Sequence, residues 1–298
     1  VLNPEISLND RLTDRIARNR SLDRIARVWQ PAILRLRDAA GARGKYFLNG
    51  TFLGHSLHPM LTDIPIGAWT VTALLDAIEV FDGPDVAFAS DTALALGLAG
   101  AVGAIATGYA EWADTSDDPR TLGMAHAALN GAAFTGYVAS LLLRANDKRG
   151  SAIAVSMASY GLVAFAAFLG GELMAGYQLG TKHTAEPKPP PEKYVKVASL
   201  DEIADGAMHA VEVDGVPILL LRQSDEVFAI SGACSHRGAP LREGTLENDD
   251  CVRCPWHGSV FSFKDGTAVE GPATFPQASF QTRIVKGAVE LRAPKRER

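Results

Sequence analysis

Residues 92–112, TALALGLAGAVGAIATGYAEW, carry no charge until Glu111. The hydrocarbon core of a bilayer takes about 20 apolar residues per helix, and this stretch supplies them. Its glycines and alanines suit close helix packing in lipid. Three further apolar stretches surround it, at 61–81, 122–143 and 152–180. The alternative of four buried helices in a soluble bundle requires a polar stripe along each helix. Residues 92–112 and 152–180 show none.

The segments between these stretches, DGPDVAFAS, ADTSDDPR and RANDKRG, are short. Short connections make neighbouring helices antiparallel, so the expectation is an up-down transmembrane four-helix bundle over residues 51–180. The average over the chain conceals it. The 298 residues are 47% hydrophobic and 21% charged, with a mean hydropathy of +0.04. Split by region, residues 1–60 carry +5, residues 61–180 carry −8 and residues 181–298 carry −2. A net charge of −5 and three cysteines exclude a strongly basic nucleic-acid binder and a disulfide-stapled secreted domain. The apolar content excludes a disordered chain.

Four spans place both chain ends on one side. The ten basic residues before residue 61 favour the cytoplasm for that side. Arg144, Lys148 and Arg149 argue the other way but are outnumbered. Neither a cleavable signal peptide nor a twin-arginine export signal is expected. Residues 1–50 form a basic arm in which Leu12, Ile16, Leu22, Ile25, Trp29, Ile33 and Leu36 recur among arginines, an amphipathic pattern suited to an anionic membrane surface. The pentamer DRIAR occurs twice there, which does not establish a repeat.

Residues 181–192 contain three consecutive prolines and read as a semi-rigid linker. Beyond it the pattern changes to short strand-like runs at 194–197, 210–213, 217–221, 227–230, 260–263 and 288–292, separated by turn pairs such as Asp214-Gly215, Asp265-Gly266 and Lys286-Gly287. Residues 193–298 are expected to form a small all-β domain.

The most specific motif lies in that domain: Cys234-Ser235-His236, then seventeen residues, then Cys254-Pro255-Trp256-His257. Two cysteines and two histidines at close spacing suggest zinc by default. The flanking Gly238, Gly258 and Ser259, the intervening Trp256 and the downstream Gly271-Pro272 argue otherwise. The stretch CSHRGAPL…CPWHGSVFSFKDGTAVEGPA resembles the Rieske [2Fe–2S] family in order, spacing and glycines, over roughly residues 193–293. The resemblance implies a [2Fe–2S] cluster with Cys234 and Cys254 on a buried iron, and His236 and His257 on an exposed, electron-accepting iron. Replacing two thiolates by neutral imidazoles removes negative charge from the cluster. Such centres therefore lie between about −150 and +300 mV rather than near −400 mV. Cys251 is left over and reads as a small apolar strand residue.

Departures from the family pattern refine the type. The respiratory members carry a disulfide between the ligand loops. Here Ala239 and Trp256 stand at those positions, in keeping with a reducing cytoplasm. Where those members have a tyrosine bonded to a ligand sulfur, this chain has Phe261. Fewer hydrogen bonds to sulfur destabilise the reduced cluster, so a ferredoxin-type potential near the low end of the range is expected. A Rieske oxygenase needs a further catalytic iron domain. The sequence runs forty-one residues past His257 without another histidine, so that enzyme is not expected.

The apolar half, with its His-Pro pair followed by Pro65 and Gly67, resembles an uncharacterised four-span bacterial membrane family, domain of unknown function 2231, over about residues 50–180. Polar groups in spans are costly and point to function. With a cytoplasmic N-terminus, His55, His58, Asp63, Glu111, His126 and Glu172 are all expected at one level of the bundle, while Asp76 and Glu79 lie nearer the other end. Three readings stand open: a haem held by His58 and His126, with His55 as a further candidate; a non-haem metal site of the di-iron kind; or helix caps and polar glue, with Pro59 at the first helical position.

Together these readings describe a multi-pass protein of the cell membrane, its N-terminus and Rieske domain cytoplasmic. It would carry single electrons between a soluble reductase and a membrane acceptor: a haem, metal or quinone site in its own bundle, or a separate redox complex. The lipid bilayer is a partner, nucleic acid is not, and a homo-oligomer is left open. A redox sensor or regulatory subunit of a membrane complex is the alternative. A carrier turns over many times per second with its partner, whereas a sensor need not.

Overall fold

The computed structural model describes residues 8–183 and 191–293. Residues 184–190 of the expected linker lie outside the described residues. Contacts divide the chain into two units, one of residues 1–39 and 57–179, the other of residues 40–56 and 180–298. Residues 40–56 group with the C-terminal unit.

The first unit is helical. Two short amphipathic helices, α1 (Leu8–Ala17) and α2 (Arg20–Ala39), precede four long ones: α4 (Leu57–Asp82), α5 (Ala87–Trp112), α6 (Asp117–Arg144) and α7 (Arg149–Ala175). The long helices have 26 to 28 residues. At 1.5 Å per residue that is about 40 Å, more than the roughly 30 Å hydrocarbon core of a bilayer. Hairpins α4–α5 and α6–α7 make the most extensive packing.

Three helices are long and apolar enough to cross a membrane: 57–82, 84–112 and 149–175. The expected fourth span, 122–143, forms a helix of spanning length but does not reach the same hydropathy. The reason is its load of polar side chains, including His126, Asn130, Thr135 and Ser140.

The two hairpins match each other. His58, Trp69 and Asp76 on α4 stand 68 residues before His126, Tyr137 and Arg144 on α6, and each matched pair meets. The imidazole centroids of His58 and His126 are 6.4 Å apart. The rings of Trp69 and Tyr137 stack at 4.3 Å. Arg144 Nη2 donates to Asp76 Oδ2 at 2.6 Å. Steps of eleven and seven residues are close to whole numbers of turns, so the three layers follow one face of each helix.

Near the Asp76 layer, Ser156 donates to Asp76 at 2.6 Å. Arg149 pairs with Glu79 at 2.6 Å and with Asp91 at 2.5 Å. Asp76 and Glu79 thus pair with Arg144 at the end of α6 and Arg149 at the start of α7.

The basic arm is partly committed to this unit. Ala26 is fully buried and packs with Trp112 and Met124. Arg37 pairs with Asp114 at 2.6 Å, and Arg120 with Asp23 at 2.7 Å. Ile25, Val28, Trp29 and Leu36 of α2 remain exposed.

The second unit is mainly β. A six-stranded antiparallel sheet runs β1-β10-β9-β4-β3-β2, from β1 (Val195–Ser199), β2 (Met208–Val213), β3 (Val216–Gln223), β4 (Glu226–Ser231), β9 (Ser279–Val285) and β10 (Ala288–Arg292). A four-stranded sheet runs β5-β6-β7-β8, from β5 (Thr245–Glu247), β6 (Cys251–Arg253), β7 (Val260–Ser262) and β8 (Ala268–Glu270). Asp214-Gly215 and Lys286-Gly287 form two-residue hairpin turns with positive φ at all four residues, as the sequence suggests.

Residues 41–49 form α3 (Gly41–Asn49), followed by a turn at Thr51–Leu53. This segment lies against β8 and the loop after it. Lys45 Nζ is 3.0 Å from Glu270, and Thr51 Oγ1 donates to Ala273 O at 3.0 Å.

Candidate metal centre

Two loops of like construction hold the motif residues. Each begins with a cysteine whose N–H donates five residues onward, Cys234 to Ala239 O and Cys254 to Ser259 O, both at 2.8 Å. Each turns back at a glycine four residues on, whose N–H donates to the cysteine carbonyl: Gly238 at 2.7 Å and Gly258 at 3.2 Å. Those glycines have φ of 72° and 75°, a conformation that side chains with a Cβ rarely adopt. The first loop leaves β4 and the second joins β6 to β7.

A third loop closes the site. Ser235 Oγ donates to Phe275 O at 2.6 Å, and Ala273 N donates to Ser259 Oγ at 2.9 Å. Thr51 holds Ala273 from outside. A Cβ on Gly271 would stand 2.9 Å from Thr51 Oγ1, so the segment approaches as closely as glycine allows.

The turns aim backbone N–H groups at sulfur. Cys234 receives those of His236 and Arg237, and Cys254 those of Trp256 and His257. The coupling between the two sulfurs holds Cys254 below the ordinary thiol value and pushes Cys234 above it. Both thiols are buried. His236 and His257 are half-buried, their ring centroids 5.0 Å apart, and Trp256 beside them is 55% exposed.

Among the described residues, no three His, Cys, Asp or Glu side chains surround a point that one metal ion could occupy. A Cys₂His₂ zinc site needs all four donors around one ion. A binuclear cluster asks for two protein donors per iron, and two thiols beside two imidazoles, with N–H groups on both sulfurs, fit that requirement.

Cys251 sits on β6, buried, with Sγ 3.4 Å from Asp250 Oδ1. Burial and then the Asp250 carboxylate push its thiol up to about 11. Phe261 is fully buried in the same core as Cys234 and Cys254.

Of the six polar residues of the apolar half, the structure brings His58 and His126 together. His55 falls in the other unit, and Asp63 is exposed. Glu111 and Glu172 are half-buried without joining a donor cluster. His58 and His126 alone of the six meet as a ring pair among the described residues. The pairing of Asp76 with Arg144 depends on the hairpin register, which no motif in the sequence states.

Residues 193–281 match the Rieske [2Fe-2S] domain, and residues 54–183 match a predicted membrane protein family, DUF2231. Ferredoxin CarAc of Metapseudomonas resinovorans is 30% identical over 104 residues, 35% of this chain and 96% of its own length. The chain belongs to the Rieske [2Fe-2S] family and carries the [2Fe-2S] cluster that defines it. Apoptosis-inducing factor 3 of Mus musculus is 35% identical over 114 residues, 38% of this chain, but the chain spans only 19% of that protein. Among solved structures, the ferredoxin of carbazole 1,9a-dioxygenase from Nocardioides aromaticivorans IC177 is 31% identical, covering 36% of this chain and 100% of its own, at a TM-score of 0.32.

Proposed function

We propose that Cys234, His236, Cys254 and His257 hold the [2Fe–2S] cluster and that the chain is a membrane-anchored carrier of single electrons at the cytoplasmic face. The observation that carries this is the polarity of the site. Thiols lie in the core and imidazoles at the surface, beside an exposed tryptophan able to meet a partner. When bound, the cluster supplies reversible one-electron transfer. The chain's own residues set its terms: N–H groups stabilise sulfur charge, and the half-buried imidazoles keep the electron's exit near the surface.

Three apolar helices and the exposed Ile25, Val28, Trp29 and Leu36 of α2 among its arginines support insertion in a bilayer with α2 at its interface. Ten basic residues before residue 61, against Arg144, Lys148 and Arg149 in the one basic loop, support a cytoplasmic N-terminus. A soluble reductase is the proposed donor, and a cofactor or complex in the membrane the acceptor.

The test is a redox titration of purified membranes followed by EPR, with protease access to the β domain compared in right-side-out and inverted vesicles. A Rieske signal with a midpoint below about +150 mV and cleavage confined to inverted vesicles is expected. A midpoint above that value, or cleavage in right-side-out vesicles, overturns the ferredoxin type or the topology respectively.

A further inference from the structure

We propose that His58 and His126 are the two axial ligands of a haem held between the α4–α5 and α6–α7 hairpins. Each hairpin prepares its histidine in the same way. His58 Nδ1 bonds Ala104 O on α5 at 2.9 Å, and His126 Nδ1 bonds Ala166 O on α7 at 2.8 Å. A backbone carbonyl accepts only from a protonated ring nitrogen, so Nδ1 carries the hydrogen on both rings. Nε2 is left with its lone pair, as histidine ligands of metals are held.

Four residues beyond each accepting alanine stands a glycine, and each glycine makes room for an imidazole. A Cβ on Gly108 would lie 2.7 Å from His58 Cε1, and one on Gly170 would lie 3.1 Å from His126 Cε1. A histidine, a carbonyl and a glycine are thus repeated at matched places in both hairpins. The two imidazoles meet edge-on, in the same relation that pairs Trp69 with Tyr137 and Asp76 with Arg144.

The spacing and the donor count select the ligand. With a nitrogen about 2 Å from a metal on each side, and a ring radius of about 1.1 Å, two trans imidazoles have centroids about 6 Å apart. The observed separation is 6.4 Å with the ring planes at 87°. No third His, Cys, Asp or Glu joins them among the described residues. A bare divalent ion needs four to six donors. A haem brings four nitrogens and leaves two trans positions for the protein. Both rings are half-buried although Leu57 and Ala125 beside them are buried, so they retain accessible surface. Asn130 Nδ2 lies 3.2 Å from His126 Nε2 and also donates to His126 O at 3.0 Å, which gives it an acceptor when the ring nitrogen is taken.

The test is the full chain made in haem-replete cells and purified in detergent, with haem assayed as the pyridine haemochrome and the Rieske EPR signal recorded on the same sample. One low-spin, six-coordinate haem per chain is expected, lost in His58→Ala and in His126→Ala while the Rieske signal persists. His126→Met is expected to keep six-coordinate haem at a higher potential, since a thioether ligand raises it. Gly170→Leu fills the space beside His126 without removing a ligand and is expected to lose the haem. Protein with a normal Rieske signal and no haem overturns the proposal, as does haem retained in both alanine variants or unchanged in His126→Met. Loss of the Rieske signal in the unmutated chain would count against the cluster reading alone.

Discussion

Arg144 and Asp76 meet in the bundle core, with Arg144 Nη2 2.8 Å from Asp76 Oδ1 and 2.6 Å from Oδ2. Asp76 is fully buried and also receives Ser90 and Ser156, while Arg144 continues to Asp91. A buried ion pair contributes little over a well-packed apolar pair, but removing one partner strands the other charge at a cost of about 3–5 kcal/mol. Arg144→Met and Asp76→Leu are each expected to lower the unfolding midpoint in detergent by on the order of 10 °C. The double variant is expected to recover most of that loss. A double variant as unstable as the two losses combined contradicts this account.

Cys251 tests the assignment of the cysteines. Its thiol is buried beside a carboxylate and pushed up to about 11, so it presents little thiolate at neutral pH. Cys251→Ser is expected to retain two cluster irons per chain and an unchanged EPR spectrum, whereas Cys234→Ser and Cys254→Ser are expected to lose both. Iron and acid-labile sulfide analysis reads the difference.

The reach of the sequence differed between the two halves for a physical reason. The cluster loops are local: a cysteine, its turn glycine and its histidine lie within five residues, so the motif states the geometry. The hairpin turns Asp214-Gly215 and Lys286-Gly287 are legible on the same ground. Short strands such as β5 and β8 have three residues each and no periodicity to read. In the helical half, a helix is local but its register against another is not. Hydropathy located the four long helices, yet the pairing of residues 68 positions apart depends on packing. The matched residues, Trp69 with Tyr137 and Asp76 with Arg144, are not even of one type. The docking of residues 40–56 was hidden likewise. Lys45 and Thr51 look like ordinary surface residues until Glu270 and Ala273 arrive from more than two hundred positions away.

Phe261 sets a prediction on potential. It is fully buried in the core that contains Cys234 and Cys254, the proposed cluster cysteines, where the resemblance places a sulfur-bonding tyrosine in the respiratory type. Phe261→Tyr is expected to raise the midpoint, because a new hydrogen bond to sulfur favours the more negative, reduced cluster. A net hydrogen bond of about 1 kcal/mol corresponds to roughly 40 mV for one electron. Protein-film voltammetry or EPR titration measures it, and a midpoint that stays or falls contradicts the assigned place of this side chain.

Glu270 joins the segment of residues 40–56 to the cluster domain and makes that link sensitive to acid. Burial tends to raise its carboxyl, but hydrogen bonds from Arg253 and Lys45 outweigh burial and hold it below its ordinary value. A carboxyl with a depressed value in the folded state contributes stability that is complete above the unfolded value, about 4.3, and is lost as pH falls through the lower folded one. The unfolding midpoint of the wild type is therefore expected to drop as pH goes from about 5 towards 3. Glu270→Gln is expected to start lower at pH 7 and to show a shallower acid limb, and Lys45→Met to weaken that limb in part. Thermal unfolding across this range, read as the difference between variant and wild type, cancels acid effects on the cluster common to both. Equal acid limbs in wild type and Glu270→Gln would show that the Lys45–Glu270–Arg253 contact does not carry the pH dependence.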